Sequence, residues 1–477
     1  MLLAKDDKGN TVLHHASHSG NEEILERIKK WAEEQLKPVN LNKLLLAQDN
    51  HRKTAWHVAA RWGKVGVLDK LWDWAKEVLN TDELNNKLLL AKADDGKTVL
   101  HHASHSGNGQ ILERIRKWAK EQLKPEELNK LLSAQDNLRE TAWHVAAQRG
   151  NVEILDKLCE WAKEVMTTEE LNNNPLLAQD NEGNTVLHNA SLSGNVHIFL
   201  GIRKWAKEQL KPEELNKLLL AQDNQRKTAW HVAARWGNIE VLGKLWEWAK
   251  EVLNTDEINN KLFLAKDDER NTVLHYASFT CNLQTLKRIR KWAKNQLKPE
   301  ELNKLLLAQD NQRKTAWHVA VKRGNTEILG KLWEWAKKVL NTEELNNNLL
   351  LAKYDEGNTV LHHASCTGNV QIFLIIRKWA KEQLQGGELN KLLLAQDSSR
   401  KTPWHVAAQM GHLELLDKLW EWAKEVLNTD ELINDLLLAK DDKGDTVMQH
   451  ALSSGKPQIY SRIRKWVKEQ VKGGELN

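Results

Sequence analysis

Cysteine is scarce in this chain: Cys159, Cys281 and Cys366 are the only three in 477 residues, at unrelated places and with no CxxC spacing. That leaves no basis for a disulfide framework or a thiolate zinc site, and a reducing compartment is expected. Long apolar runs are missing too. No stretch approaches the roughly 18 uninterrupted apolar residues that a membrane span needs, and the opening MLLAKDDKGN turns charged after three apolar residues. A cytoplasmic protein without a membrane partner is the expectation. Nor is there a strong excess of one charge, because a net +5 does not by itself demand nucleic acid or an anionic surface. No linker or low-complexity segment breaks the pattern. There is no phosphate loop, nucleophile elbow, HExxH or carboxylate pair unique to one place. The acidic residues recur with the repeat, which reads as a solvated face or a cap. The expectation is a protein that is not an enzyme and takes no cofactor.

What the chain does have is repetition. A Thr-x-x-His anchor recurs at Thr11, Thr54, Thr98, Thr141, Thr185, Thr228, Thr272, Thr315, Thr359, Thr402 and, with Gln449 in place of His, Thr446. The spacings alternate between 43 and 44 residues. Odd repeats read TVLHHAS (Thr11 to Ser17) and even ones TAWHVAA (Thr54 to Ala60), so the true period is a pair of 87 residues. Within a repeat, the anchor opens a short helix that stops at a glycine such as Gly20, where left-handed backbone costs least. Asn21 then caps a long amphipathic helix, with Ile24, Leu25, Ile28, Trp31, Ala32 and Leu36 at helical spacing. Lys37-Pro38 in odd repeats, or Asn80 to Glu83 in even ones, starts a third, short helix, which in the even case runs through Leu84 to Ala91. Charged turns such as Asp6 to Asn10 lead into the next anchor.

The Asp-x-x-Gly-x-Thr turn, the Thr-x-x-His anchor and the Ala-x-x-x-Gly-Asn stretch, as in Asp7 to Asn21, resemble the ankyrin repeat, and the resemblance covers the whole chain. It implies an all-α solenoid, here of eleven units, over residues 1–477 as one domain or a section of a longer array, and the residues add a short third helix to the two main ones of each unit. It also implies that the Thr caps its helix and the His bonds back to the turn, locking consecutive units. The family's proline after Thr stands only at Pro403, and its glycine after the second helix is missing. HEAT-like or armadillo-like repeats match the period better and stand as the alternative fold.

Of the 22 tryptophans, most recur at locked positions: Trp31 and its equivalents through Trp466, Trp56 and its equivalents in the anchor, and Trp72, Trp246, Trp333 and Trp420. Such periodicity predicts core and not a base-stacking platform. Trp62 and Trp236 alone escape it. The i, i+4 pairs His14/His18 and His101/His105 have metal-ligand spacing, but the first of each is an anchor and no third ligand is in view, so no metal is expected.

Repeats with one packing role should differ most where packing does not decide. In even repeats the two residues before the glycine are Arg61-Trp62, Gln148-Arg149, Arg235-Trp236, Lys322-Arg323 and Gln409-Met410. The even turn tips are basic, with Arg52, Arg139, Arg226, Arg313 and Arg400. In the family these places line the concave binding surface. The expected function is a protein-interaction scaffold for an acidic or mixed protein partner, with Arg61, Trp62, Arg235 and Trp236 foremost. End-to-end self-association into filaments is the alternative, because the chain ends nearly rejoin into the Leu-rich run. Nucleic-acid binding ranks third.

Overall fold

The computed structural model describes residues 2–167 and 175–474. Met1 and residues 475–477, on which the idea of joined ends partly rests, lie outside them. Among the described residues every regular element is helical, and extended backbone meets only in isolated bridges such as Gln48 with Thr54. The helices pack into two compact units, Met1–Asn254 and Thr255–Asn477. Among the described residues no helix is long and apolar enough to cross a membrane.

Each repeat begins with an anchor helix such as Val12–Ser19 or Ala55–Arg61. Its N-cap threonine is extended, and the anchor histidine three residues on folds back to it. Nδ1 of His14 accepts from the Thr11 N–H at 3.1 Å and from its hydroxyl at 2.9 Å. Nδ1 is therefore the acceptor and Nε2 carries the proton, which it donates to the Lys53 carbonyl of the following repeat at 2.8 Å. In the first unit His101 reaches the Glu140 carbonyl at 2.9 Å and His188 that of Lys227 at 3.0 Å. In the second, His275 reaches Lys314 at 3.0 Å and His362 reaches Lys401 at 2.9 Å. These histidines are joints between repeats. Burial depresses them, His57, His101 and His362 each to about 4.

A glycine at φ +75°, Gly20, ends the first anchor helix, and Asn21 accepts from the Ile24 N–H to start the long helix Glu22–Gln35. The tryptophans of that layer form the core. Trp72 and Trp56 close over Trp118 of the next repeat, with ring centroids 4.8 and 5.1 Å apart, and Trp333 stacks on Trp379 at 4.6 Å in the second unit. One expectation fails here. Trp31, placed with the core by its position, is 58% exposed, and Ile24 beside it 46%, because no indole pair covers Trp31 as Trp56 and Trp72 cover Trp118.

The third helix differs between the two kinds of repeat. In odd repeats it is an ordinary α-helix, Pro38–Leu45. In the even repeats whose third helix lies within the described residues it is wider: Thr81–Glu83 passes directly into a π-helix, Leu84–Leu89, whose turn closes where the Leu90 N–H meets the Asn85 carbonyl at 2.8 Å. The segment read as an α-like run to Ala91 thus ends earlier and winds more loosely. ELNKLL, the reading of most odd repeats, is one residue longer in the even ones, as in ELNNKLL from Glu83 to Leu89, and a π-turn is how a helix absorbs one inserted residue without rotating its buried face. The 43/44 alternation is that insertion. The same π-turn recurs at Asn259–Phe263, Asn346–Leu350 and Glu431–Leu437.

Candidate interaction surface

Two local features bring the predicted binding residues to the surface. The first is the end of each even anchor helix, where the chain must leave before its glycine and the last side chains have no helix to pack on. Trp62 is 52% and Trp236 60% exposed, and Met410 is exposed as well. Gln148, Arg149, Arg235, Lys322, Arg323 and Gln409 are exposed too, and Arg61 is half-buried. Two of these ends meet the equivalent end of the preceding odd repeat. Trp62 takes the edge of His18, with ring centroids 4.5 Å apart, and the Arg323 guanidinium lies 3.5 Å from the Phe279 ring centroid. His14 commits both ring nitrogens to its joint, so the His14/His18 pair has a structural account.

The second feature is the turn tip. Arg52, Arg139, Arg226, Arg313 and Arg400 all adopt left-handed backbone, φ +57° to +61°, and all are exposed. Glycine holds that position in the odd turns, as at Gly9, Gly96 and Gly183, with Arg270 the exception. Any side chain with a Cβ is disfavoured in this conformation by about 1 kcal/mol or more. Arg52 has a loose ion pair with Asp94 at 3.7 Å. Side-chain partners for Arg139, Arg226, Arg313 and Arg400 are absent among the described residues. Successive tips are joined through the backbone, for example Asn50 N–H to the Lys8 carbonyl at 2.9 Å.

In the first unit Lys53, Arg61 and Trp62 line a groove of about 680 Å³, completed by Asp6, His15, His18 and Asp49. Its carboxylates serve their own turns: Asp49 accepts the N–H groups of His51 and Lys53, both at 2.8 Å. The Asn10 amide and backbone hold the Asp6 carboxyl at about 2. The cations of the groove are less engaged. The side chains of Lys53 and Arg61 have no partner among the described residues.

No protein-family model matches the chain, and no curated protein matches it. The site must be read from its own chemistry.

Sequence reasoning missed one position, five residues before the odd anchor threonine. It holds Asp6, Ala93, Asp180, Asp267, Tyr354 or Asp441, and opposite it, on the anchor helix, stand His15, His102, Asn189, Tyr276, His363 or His450. Asp6 accepts from His15 at 3.0 Å, Asp441 pairs with buried His450 at 2.8 Å, and Asp267 accepts from the Tyr276 hydroxyl. With Ala93 there, His102 is fully buried and neither ring nitrogen has a hydrogen-bond partner. With the buried Tyr354 there, the turn is remodelled, Asp355 and Glu356 taking φ +39° and +62°. Asp355 then turns to Lys314, which is buried, with Nζ 2.6 Å from Oδ2, and Lys322 stands 3.7 Å away. Burial pushes the Asp355 carboxyl up, but the hydrogen bond and charge of Lys314, with the charge of Lys322, outweigh it and hold it low. Comparing the odd repeats at this one position would have found these sites, since its occupant changes while the anchor threonine does not.

Proposed function

We propose that this chain is a non-enzymatic interaction scaffold, a solenoid of eleven ankyrin-like repeats, that grips an acidic or mixed protein surface with its even turn tips and even anchor-helix ends. The observation that carries this reading is the set of five exposed arginines held at left-handed φ. Strained backbone persists where the side chain it presents is useful. A guanidinium fork without an internal partner suits bidentate contact with carboxylates, and Trp62 and Trp236 beside Arg61 and Arg235 supply the aromatic anchors that such interfaces favour. The anchor bonds between repeats support the ankyrin-like reading.

The test is fluorescence anisotropy with a labelled short polyglutamate peptide and, separately, oligothymidylate, with sedimentation velocity on the same protein. Polyglutamate should bind, and the combined substitution of Arg61, Trp62, Arg235 and Trp236 by alanine should weaken it by about tenfold or more. Tighter binding of oligothymidylate with a steep salt dependence would replace this reading by nucleic-acid recognition. A concentration-dependent ladder of species without peptide binding would replace it by self-association.

A further inference from the structure

The two places in the chain where a pair of even-repeat cations meets a histidine from the following odd repeat are directly comparable. In the second unit the set is Lys314, Lys322 and His363. Its cations hold the carboxylate of Asp355, at 2.6 and 3.7 Å, and all three side chains act on that carboxylate electrostatically. In the first unit, three pairs of repeats earlier in sequence, the same positions hold Lys53, Arg61 and His102. Here the carboxylate that corresponds to Asp355 belongs to Asp94, and it faces the tip arginine, Arg52. The cations are therefore left without one. His102 beside them is fully buried with both ring nitrogens unpartnered, and Arg61 and Lys53 are among the charges that act on it. A buried imidazole with neither its donor nor its acceptor used is costly, and it calls for a group that the free chain does not supply. Lys53 and Arg61 open onto the groove that Trp62 also lines, so the two cations can be reached from solvent.

We infer that Lys53, Arg61 and His102 form an open seat for a side-chain carboxylate of the partner, and that Asp355 is the chain's own occupant of the equivalent seat. The inference rests on the acidic-partner reading and makes it more specific. One seat is offered to the ligand and the other is filled from within. A carboxylate is the chemistry indicated, because a carboxylate is what Lys314 and Lys322 hold. The neighbouring tryptophan fits an acidic residue followed by an apolar one.

Two opposite variants test it, with polyglutamate as the probe. Ala93→Asp adds an internal carboxylate facing His102, in the arrangement that Asp441 and His450 show at 2.8 Å, without removing any cation. It should weaken polyglutamate binding by about tenfold. Asp355→Asn empties the second seat and should raise the stoichiometry seen by titration calorimetry. In wild-type protein with nitrogen-labelled histidine, the His102 ring resonances should move when the peptide is added, and in Ala93→Asp they should not. Circular dichroism of both variants checks that they fold, and either one alone decides the question. If wild type binds polyglutamate while both variants bind as wild type does and His102 stays still, the seat is wrong and the acidic-partner reading survives. If wild type does not bind at all, both fall.

Discussion

Odd and even repeats are built on one backbone and place their polar residues in opposite ways. At the left-handed turn position most odd repeats have glycine, and the even ones have Arg52, Arg139, Arg226, Arg313 and Arg400. Four residues into the repeat from the anchor threonine the pattern reverses. Even repeats have Val58, Val145, Val232, Val319 and Val406, while odd ones have His15, His102, Asn189, Tyr276, His363 and His450. Even repeats thus put charge on the surface and keep an apolar joint. Most odd repeats have glycine at the tip and a polar group at the joint, buried in His102, Asn189, Tyr276 and His450. The alternation divides labour, and each half of it can be attacked separately.

The largest effect expected is one that both kinds share, and it would break the comparison if they did not. His57 in an even repeat and His101 in an odd one are each depressed by burial from 6.5 to about 4. Between those values the unfolded chain binds a proton that the folded chain refuses. Stability is therefore full above about pH 6.5 and falls as pH drops toward 4, by about 1.4 kcal/mol per pH unit for each such histidine. With joints of this kind in both units, urea midpoints measured from pH 7 to pH 4.5 should fall steeply. A flat profile would mean that the imidazoles are not held neutral.

Next in size is the single joint. His101→Ala removes the bonds to Thr98 and to the Glu140 carbonyl at 2.9 Å and leaves buried polar groups unpaired, for about 3 kcal/mol in urea unfolding. His57 reaches its carbonyl, on Ala91, at 3.3 Å, so His57→Ala should cost less. Equal losses would show that the odd and even joints are alike in strength. Smaller again is Arg226→Gly, which gives an even tip the odd residue. It relieves left-handed strain and should stabilise the fold by about 1 kcal/mol while weakening polyglutamate binding. A gain in stability without a loss of binding would separate the strain from function.

Much of this was legible in the sequence because periodicity reports packing. The anchor histidines, the tryptophan core and the two kinds of repeat follow from residues recurring at fixed spacing, and the predicted binding residues do reach the surface. Three things were not legible. Trp31 has the core position without the neighbour that makes it core, and a pattern within one repeat does not show what covers it. The left-handed arginines look like ordinary basic loop residues, because φ is fixed by the turn's hydrogen bonds and not by the residue itself. Asp355 and Asp94 are the same letter in the same register, yet one meets a lysine and the other the tip arginine. The difference arises one residue earlier, where the fully buried ring of Tyr354, packed against the His318 and His363 rings, stands in the place of the small Ala93.

The smallest effect concerns the inserted residue. The first even repeat reads ELNNKLL where most odd ones read ELNKLL, and the extra residue in its π-turn is Asn86, which is exposed. On either side of it the roles match. Leu84, Leu88 and Leu89 are buried as Leu41, Leu44 and Leu45 are. Asn85 donates to the next repeat at the Gln122 carbonyl, 3.2 Å away, as Asn42 donates to Glu83 at 3.2 Å. Deleting Asn86 therefore recreates the odd sequence in an even repeat, and the segment should rewind as an α-helix with every buried side chain kept. The expected cost in urea unfolding is below about 1 kcal/mol, the scale of surface changes that break no named interaction. Amide exchange should show the Leu90 N–H no slower than before, since its bond only changes acceptor. A loss of several kcal/mol would mean that the wider turn positions the following anchor, and that the two kinds of repeat are not interchangeable even where their sequences can be made the same.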